Sequence, residues 1–138
     1  MAWIALESFI NSMLDDFSSL PPDIFELHER AFLVEKKLQF HNSGSEIGKF
    51  SIGQTEYRRL EDKIFFLIAK FSKNQTNIKR DPIWQDFQKF KETRNSIIHP
   101  RRDNEIELNI DSTQKCIETS KNIIKFVSFH VYKKDILF

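Results

Sequence analysis

The chain has 138 residues, 40% of them hydrophobic and 30% charged, with 14 Phe, a mean hydropathy of −0.46 and a formal net charge of +1. That length fits one domain spanning residues 1–138, and the apolar content supplies a substantial core, which argues against intrinsic disorder. The longest uninterrupted apolar runs, Met1 to Leu6 and Ile64 to Ala69, are six residues each, far short of the roughly 20 that span a bilayer.

The first helix is predicted from about Trp3 to Phe17, where Trp3, Leu6, Ile10, Met13, Leu14 and Phe17 recur at three- and four-residue steps. Pro21-Pro22 breaks it, and a second helix is expected from about Asp23 to Phe40 with Phe25, Leu27, Phe32, Leu33, Val34 and Leu38 on its apolar face. All three glycines lie between Gly44 and Gly53, which reads as one long loop. A third helix spans roughly Thr55 to Phe71, carrying Tyr57, Leu60, Ile64, Phe65, Leu67, Ile68 and Phe71, and a polar connector follows it. Asp81-Pro82 opens a fourth helix, the carboxylate capping free amides and the proline fitting the first turn. Trp84, Phe87 and Phe90 form its apolar stripe, and Pro100 ends it by disfavouring helical geometry at His99. EIELNI, from Glu105 to Ile110, alternates like a strand but reads as an extended connection, because a lone strand is not stable. A fifth helix runs from about Asp111 to Tyr132, with Cys116, Ile117, Ile123, Ile124, Val127 and Val131 on its buried side. The expected fold class is all-α: an up-down bundle of four main helices plus an optional fifth.

The lone cysteine, Cys116, permits no intrachain disulfide, and the N-terminal residues lack a basic leader and are interrupted by Glu7 and Asn11. A cytoplasmic protein without membrane contact is the expectation. Charge is unevenly spread. Residues 1–27 hold five acids and no Lys or Arg, whereas residues 79–102 hold seven bases against three acids. The second segment is a basic patch suited to an anionic partner such as RNA.

Within that patch residues 94 to 100 read RNSIIHP. With seven Arg and four His in the chain, an Arg followed by a His five positions on arises about 0.2 times by chance, so the setting must carry the argument. The string joins a permanent cation to the side chain that exchanges protons near neutrality. Metal-free RNA hydrolysis needs both, a base and acid for the 2′-hydroxyl and 5′-oxygen and a cation for the pentacovalent phosphorane. On a continuous helix Arg94 and His99 lie about 140° apart. Either the helix ends before His99, or each residue meets its counterpart from a second chain across a two-fold axis. Asn95, four residues before His99, can share its face and orient the imidazole or the substrate.

RNSIIHP, closing a helix that contains IWQDFQKF, resembles the RxxxxH signature of HEPN-domain proteins, and ALESFIN in the first helix is similar to the opening of several of their branches. The resemblance implies a HEPN-like helical bundle that forms a symmetric homodimer. It also implies a metal-independent endoribonuclease of a toxin-antitoxin or phage-defence type, with RNA as substrate and an antitoxin or other regulatory protein as a further partner. It carries onto Arg94, His99 and Asn95 as catalytic residues. Arg101, Arg102 and Lys91 of the basic patch are the candidate RNA-binding residues. One toxin branch has a tyrosine two residues after the histidine that its antitoxin modifies; here Arg101 stands there, so that form of regulation is not implied. The alternative is a non-catalytic HEPN-like dimerisation, nucleotide-binding or partner-binding module.

No cofactor or metal is expected. His28, His41 and His130 have no ligand spacing with one another or with Cys116, and the glycines lack the lysine and hydroxyl ending of a phosphate loop. Glu7 and Asn11, one turn apart, are candidates to support the cleft. The abundant Phe is read as core at helical spacing rather than as a base-stacking platform.

Overall fold

The computed structural model describes residues 2–21, 23–72, 78–98 and 110–133. Among these the chain is mainly helical: α1 (Ala2–Ser18), α2 (Leu27–Leu33), α3 (Leu60–Phe71), α4 (Pro82–Ile98) and α5 (Ile110–Tyr132), with a 3₁₀ turn at Ile78–Arg80. A two-stranded antiparallel sheet, β1 (Lys36–Phe40) with β2 (Phe50–Thr55), corrects the all-α expectation. No helix among the described residues is long and apolar enough to cross a membrane. The chain resolves into two compact units, one of Met1–Phe9 with Ile64–Phe138 and one of Ile10–Lys63.

In the second unit the expected helix over 23–40 is cut to seven residues. Glu29 Oε1 accepts the Glu26 N–H at 3.0 Å in a capping-box arrangement that starts α2 late. At the other end Glu35 adopts φ 53° and donates its N–H to Phe32 O at 3.1 Å, a left-handed cap that turns the chain out of the helix. Val34 and Leu38, four apart, imitate helical spacing. The decisive pattern is instead the alternation of Leu38 and Phe40 with Phe50 and Ile52 across a glycine-bearing turn, which is a hairpin signature. The pairs are Leu38 with Ile52, Gln39 with Ser51 and Phe40 with Phe50, and the register slips between Lys36 and Leu38. Gly53 sits in that bulge, where an added Cβ would lie 3.1 Å from Gln39 Cβ. Tyr57, expected in the core, precedes α3 and is 86% exposed. The unit's buried apolar residues are Ile10, Met13, Leu14, Phe17, Phe25, Ala31, Leu33 and Leu60.

A polar network ties α2, the hairpin and α3 together. Lys63 Nζ, on a side chain only 5% exposed, donates to Glu35 Oε1 at 2.7 Å and to Asn11 Oδ1 at 2.8 Å. Glu35 Oε2 accepts the Arg58 N–H at 3.1 Å, and Arg58 in turn reaches Lys36 O and Glu56 while its guanidinium carbon lies 5.1 Å from the Phe32 ring centre. Burial pushes the Glu35 carboxyl up, but the Lys63 hydrogen bond, the Arg58 N–H and the charges of Lys63 and Arg58 outweigh it and hold it below the usual value.

The first unit is aromatic at its centre. Trp84 stacks on Phe87 at 4.9 Å and lies 4.9 Å from Phe65, while Trp3 stacks on Phe87 at 5.7 Å and meets Phe90 edge-on at 5.4 Å. Phe87, Ile64, Leu67, Ile68, Ile123 and Val127 are fully buried around them. Ser120 Oγ donates to Ala2 O at 3.0 Å, which fixes the start of α1. Ile117, expected on the buried side of α5, is exposed. EIELNI lies outside the described residues except Ile110, the first residue of α5.

His130 gives this unit a pH dependence. Its ring lies 4.5 Å from Phe126 and 5.5 Å from Phe129, and burial lowers its pKa, Lys133 adding to the effect and Asp81 opposing it. Because the folded pKa is below the unfolded one, the unfolded chain binds the proton more readily and stability falls with pH. The thermal midpoint is expected to hold above about pH 6.5 and to decline as pH drops through the lowered value. His130→Phe removes that part of the decline in a series of melts from pH 8 to 5.

Candidate functional site

α4 begins as the sequence predicts. Asp81 Oδ1 accepts the Ile83 N–H at 3.0 Å and its carbonyl accepts the Trp84 N–H at 3.0 Å, with Pro82 as first residue of the helix. Asp81→Ala is therefore expected to cost about 1 kcal/mol in urea unfolding, with Asp81→Asn recovering most of it.

Arg94 follows Phe90 by four residues and Phe87 by seven, so it continues the buried stripe of α4 as its polar end. Its guanidinium carbon lies 5.3 Å from the Trp3 ring centre, and Nη1 donates to Asn95 Oδ1 at 3.1 Å. Both residues are half-buried. A cation–π contact engages the guanidinium without itself consuming N–H donors, so Trp3 orients the Arg94 head group while one of its N–H groups donates to Asn95. The sequence marked Trp3 only as a core residue. Its second role required knowing that the start of α1 lies against α4.

Of the other candidates, Lys91 is a half-buried residue of α4. His99, Arg101 and Arg102 lie outside the described residues, as do Pro100 and the side chains of Ile97 and Ile98. Asn11 accepts a hydrogen bond from Lys63 in the network of the second unit.

Between α4 and α5 lies a shallow groove of about 90 Å³ whose walls include Lys89, Phe90, Thr93, Lys115, Cys116 and Thr119. It is small beside the roughly 300–1,000 Å³ of typical small-molecule sites. Cys116 is half-buried beside it, and burial pushes its thiol up, the direction of an unreactive sulfur. Glu26, His28 and Glu29 bring ligand-type atoms within 4.8 Å of one another, a grouping that sequence spacing did not suggest. Its carboxylates are engaged in starting α2 and in pairing with His28 Nδ1 at 3.3 Å. Both Glu26 and His28 are exposed, and the group carries no metal assignment. No family model, no curated protein and no solved structure matches the chain.

Proposed function

We propose that the chain is a metal-independent endoribonuclease with a HEPN-like four-helix core, acting as a symmetric homodimer whose cleft is lined by Arg94 and His99 from both copies, with Asn95 assisting. The observation that carries the reading is the setting of Arg94: half-buried at the polar end of the α4 stripe, against Trp3 and hydrogen-bonded to Asn95. A cation held in this way costs little to reorganise when charge develops on a phosphorane. His99 of one copy removes the 2′-hydroxyl proton, the 2′-oxygen attacks phosphorus, the arginines balance the added negative charge, and the departing 5′-oxygen takes a proton from the second histidine. The products are a 2′,3′-cyclic phosphate and a 5′-hydroxyl. Lys91, Arg101 and Arg102 bind the flanking phosphates, and an antitoxin or other regulatory protein restrains the activity in a cytoplasmic setting.

The test is incubation of the purified chain with RNA in chelator, with end-group analysis of the fragments. Cyclic phosphate ends are expected; intact RNA sinks the proposal. A second reading draws on the same hydrogen bond. If Arg94 is used up in fastening the end of α4 through Asn95 and Trp3, the fold serves as a non-catalytic dimerisation or binding module, and RNA is bound without being cut.

A further inference from the structure

The hairpin carries an apolar face that the core does not use. Leu38, Phe40, Phe50 and Ile52 occupy cross-strand positions on one face and are 41%, 56%, 56% and 38% exposed. The two Phe rings lie 5.2 Å apart at 56° to each other. The opposite face is polar, with Gln39 paired to Ser51 and His41 Nε2 2.6 Å from Ser51 Oγ. These two Phe residues are exceptions to the reading of the abundant Phe as core. They form an aromatic pair on adjacent strands, held on a hairpin that the Glu35 and Arg58 contacts anchor to α2.

We infer that this face is a stacking platform for unpaired bases of single-stranded RNA, with Lys36, Lys37 and Lys49 meeting the phosphates on either side. Charge complementarity supports that occupant: between residues 36 and 55 there are three lysines and one acid, Glu46, which pairs with Lys49 at 3.6 Å and leaves the segment net positive. Lys36 stands on the Leu38 and Phe40 face at the end of the hairpin away from the turn, Lys37 beside it on the Gln39 face, and Lys49 at the turn in an ion pair with Glu46, so positive charge lies beyond both ends of the aromatic pair. Paired aromatics on neighbouring strands flanked by lysine are what base stacking with backbone neutralisation requires.

Two other occupants fit less well. An interface between stable copies draws about 20–30 residues from each side, and this patch offers four. A bilayer would have to admit the turn first, and residues 41 to 49 carry a single apolar side chain, Ile47, among polar and charged residues that include Glu46. Phe40 and Phe50 sit at the turn end of the strands and Leu38 and Ile52 behind them, all on one side, a face for a flat ligand.

The choice of RNA as the polymer rests on the proposed function; the site itself does not include Arg94 or His99. The test uses the full chain in an Arg94→Ala background, so that RNA stays whole, with fluorescein-labelled 12-nucleotide oligouridylate and oligoadenylate read by anisotropy. Phe40→Leu and Phe50→Leu, which keep apolar bulk but remove the π face, are each expected to weaken binding about 5- to 150-fold, the equivalent of about 1–3 kcal/mol per stacked base. Phe40→Trp is expected to retain affinity and to show quenching of its emission by oligoadenylate. Lys37→Gln is expected to reduce the slope of affinity against salt. Exposure of both rings keeps the variants folded, which circular dichroism checks.

Leucine variants that bind as the parent does overturn the platform. So does a Phe40→Ser variant that loses a dimer in sedimentation, or loses binding to phosphatidylserine vesicles, with RNA affinity unchanged; those results assign the patch to a second copy or to a lipid surface. RNA held through the hairpin but never cut by the wild type overturns the nuclease proposal alone. Cleavage by the wild type with unaltered binding by the Phe variants overturns the platform alone.

Discussion

Arg94→Ala and His99→Ala are each expected to lower the rate of RNA cleavage in chelator by about 10²- to 10⁴-fold, the range lost when a positioned proton-transfer group or a preorganised charge is removed. Arg94→Lys keeps the charge but loses the planar fork and its match to phosphate, so it is expected to fall between the wild type and Arg94→Ala. The loss is catalytic rather than structural. An exposed-to-half-buried cation–π contact is worth about 0.5–1 kcal/mol, so the melting temperature moves little while activity collapses. Mixing the two variants supplies a further readout. In a shared cleft an Arg94→Ala subunit and a His99→Ala subunit restore one intact arginine and one intact histidine, and partial activity returns. Equal cleavage by the wild type and both single variants removes Arg94 and His99 from the chemistry.

The largest stability effect is expected at Glu35. Glu35→Ala leaves the Lys63 ammonium buried with Asn11 as its hydrogen-bond partner among the described residues, and breaking such a pair costs about 3–5 kcal/mol. Lys63→Met is expected to cost less, because Glu35 is 25% exposed and its carboxylate can recover water, whereas Lys63 at 5% cannot. The double variant should be more stable than the sum of the two losses implies. Backbone geometry separates a further contribution: at φ 53° a Glu35→Gly variant loses the same ion pair but is released from left-handed strain, and should stand about 1 kcal/mol above Glu35→Ala. Acid acts on the same pair. The folded pKa of Glu35 is lowered, so its contribution is complete above the ordinary carboxylate range and is lost as pH falls through the lowered value. Urea titrations from pH 7 to pH 3 should show that loss in the wild type and not in Glu35→Gln.

α1, α4 and α5 were legible because their apolar residues repeat at three and four with little competing pattern, and because Asp81-Pro82 and the prolines at 21 and 22 punctuate the chain. The segment from 34 to 55 was not. Val34 and Leu38 satisfy a helical period and Leu38 and Phe40 a strand period at once, and only the pairing with Phe50 and Ile52, 10 or more residues away, decides between them. The same ambiguity hid the exposed Phe pair, since Phe40 stands at the end of the expected second helix and Phe50 in the expected glycine loop until the strand pairing is known. Lys63 was invisible for a related reason: a lysine on an amphipathic helix is ordinarily solvated, and its burial depends on Glu35 and Asn11, which are brought from 28 and 52 residues away.

By itself the sequence determined the presence and approximate extent of α1, α4 and α5, the aromatic stripe of α4, and the position of Arg94 and Asn95 in its last turns, with His99 following in the sequence. Those features follow from local period, capping and composition. Tertiary structure decided that Arg94 lies against Trp3, that the chain leaves α2 at Glu35 to form a hairpin, and that Lys63 is buried in a hydrogen-bonded pair. Each of these joins residues far apart in the chain, and such contacts are fixed by packing rather than by any short stretch of sequence.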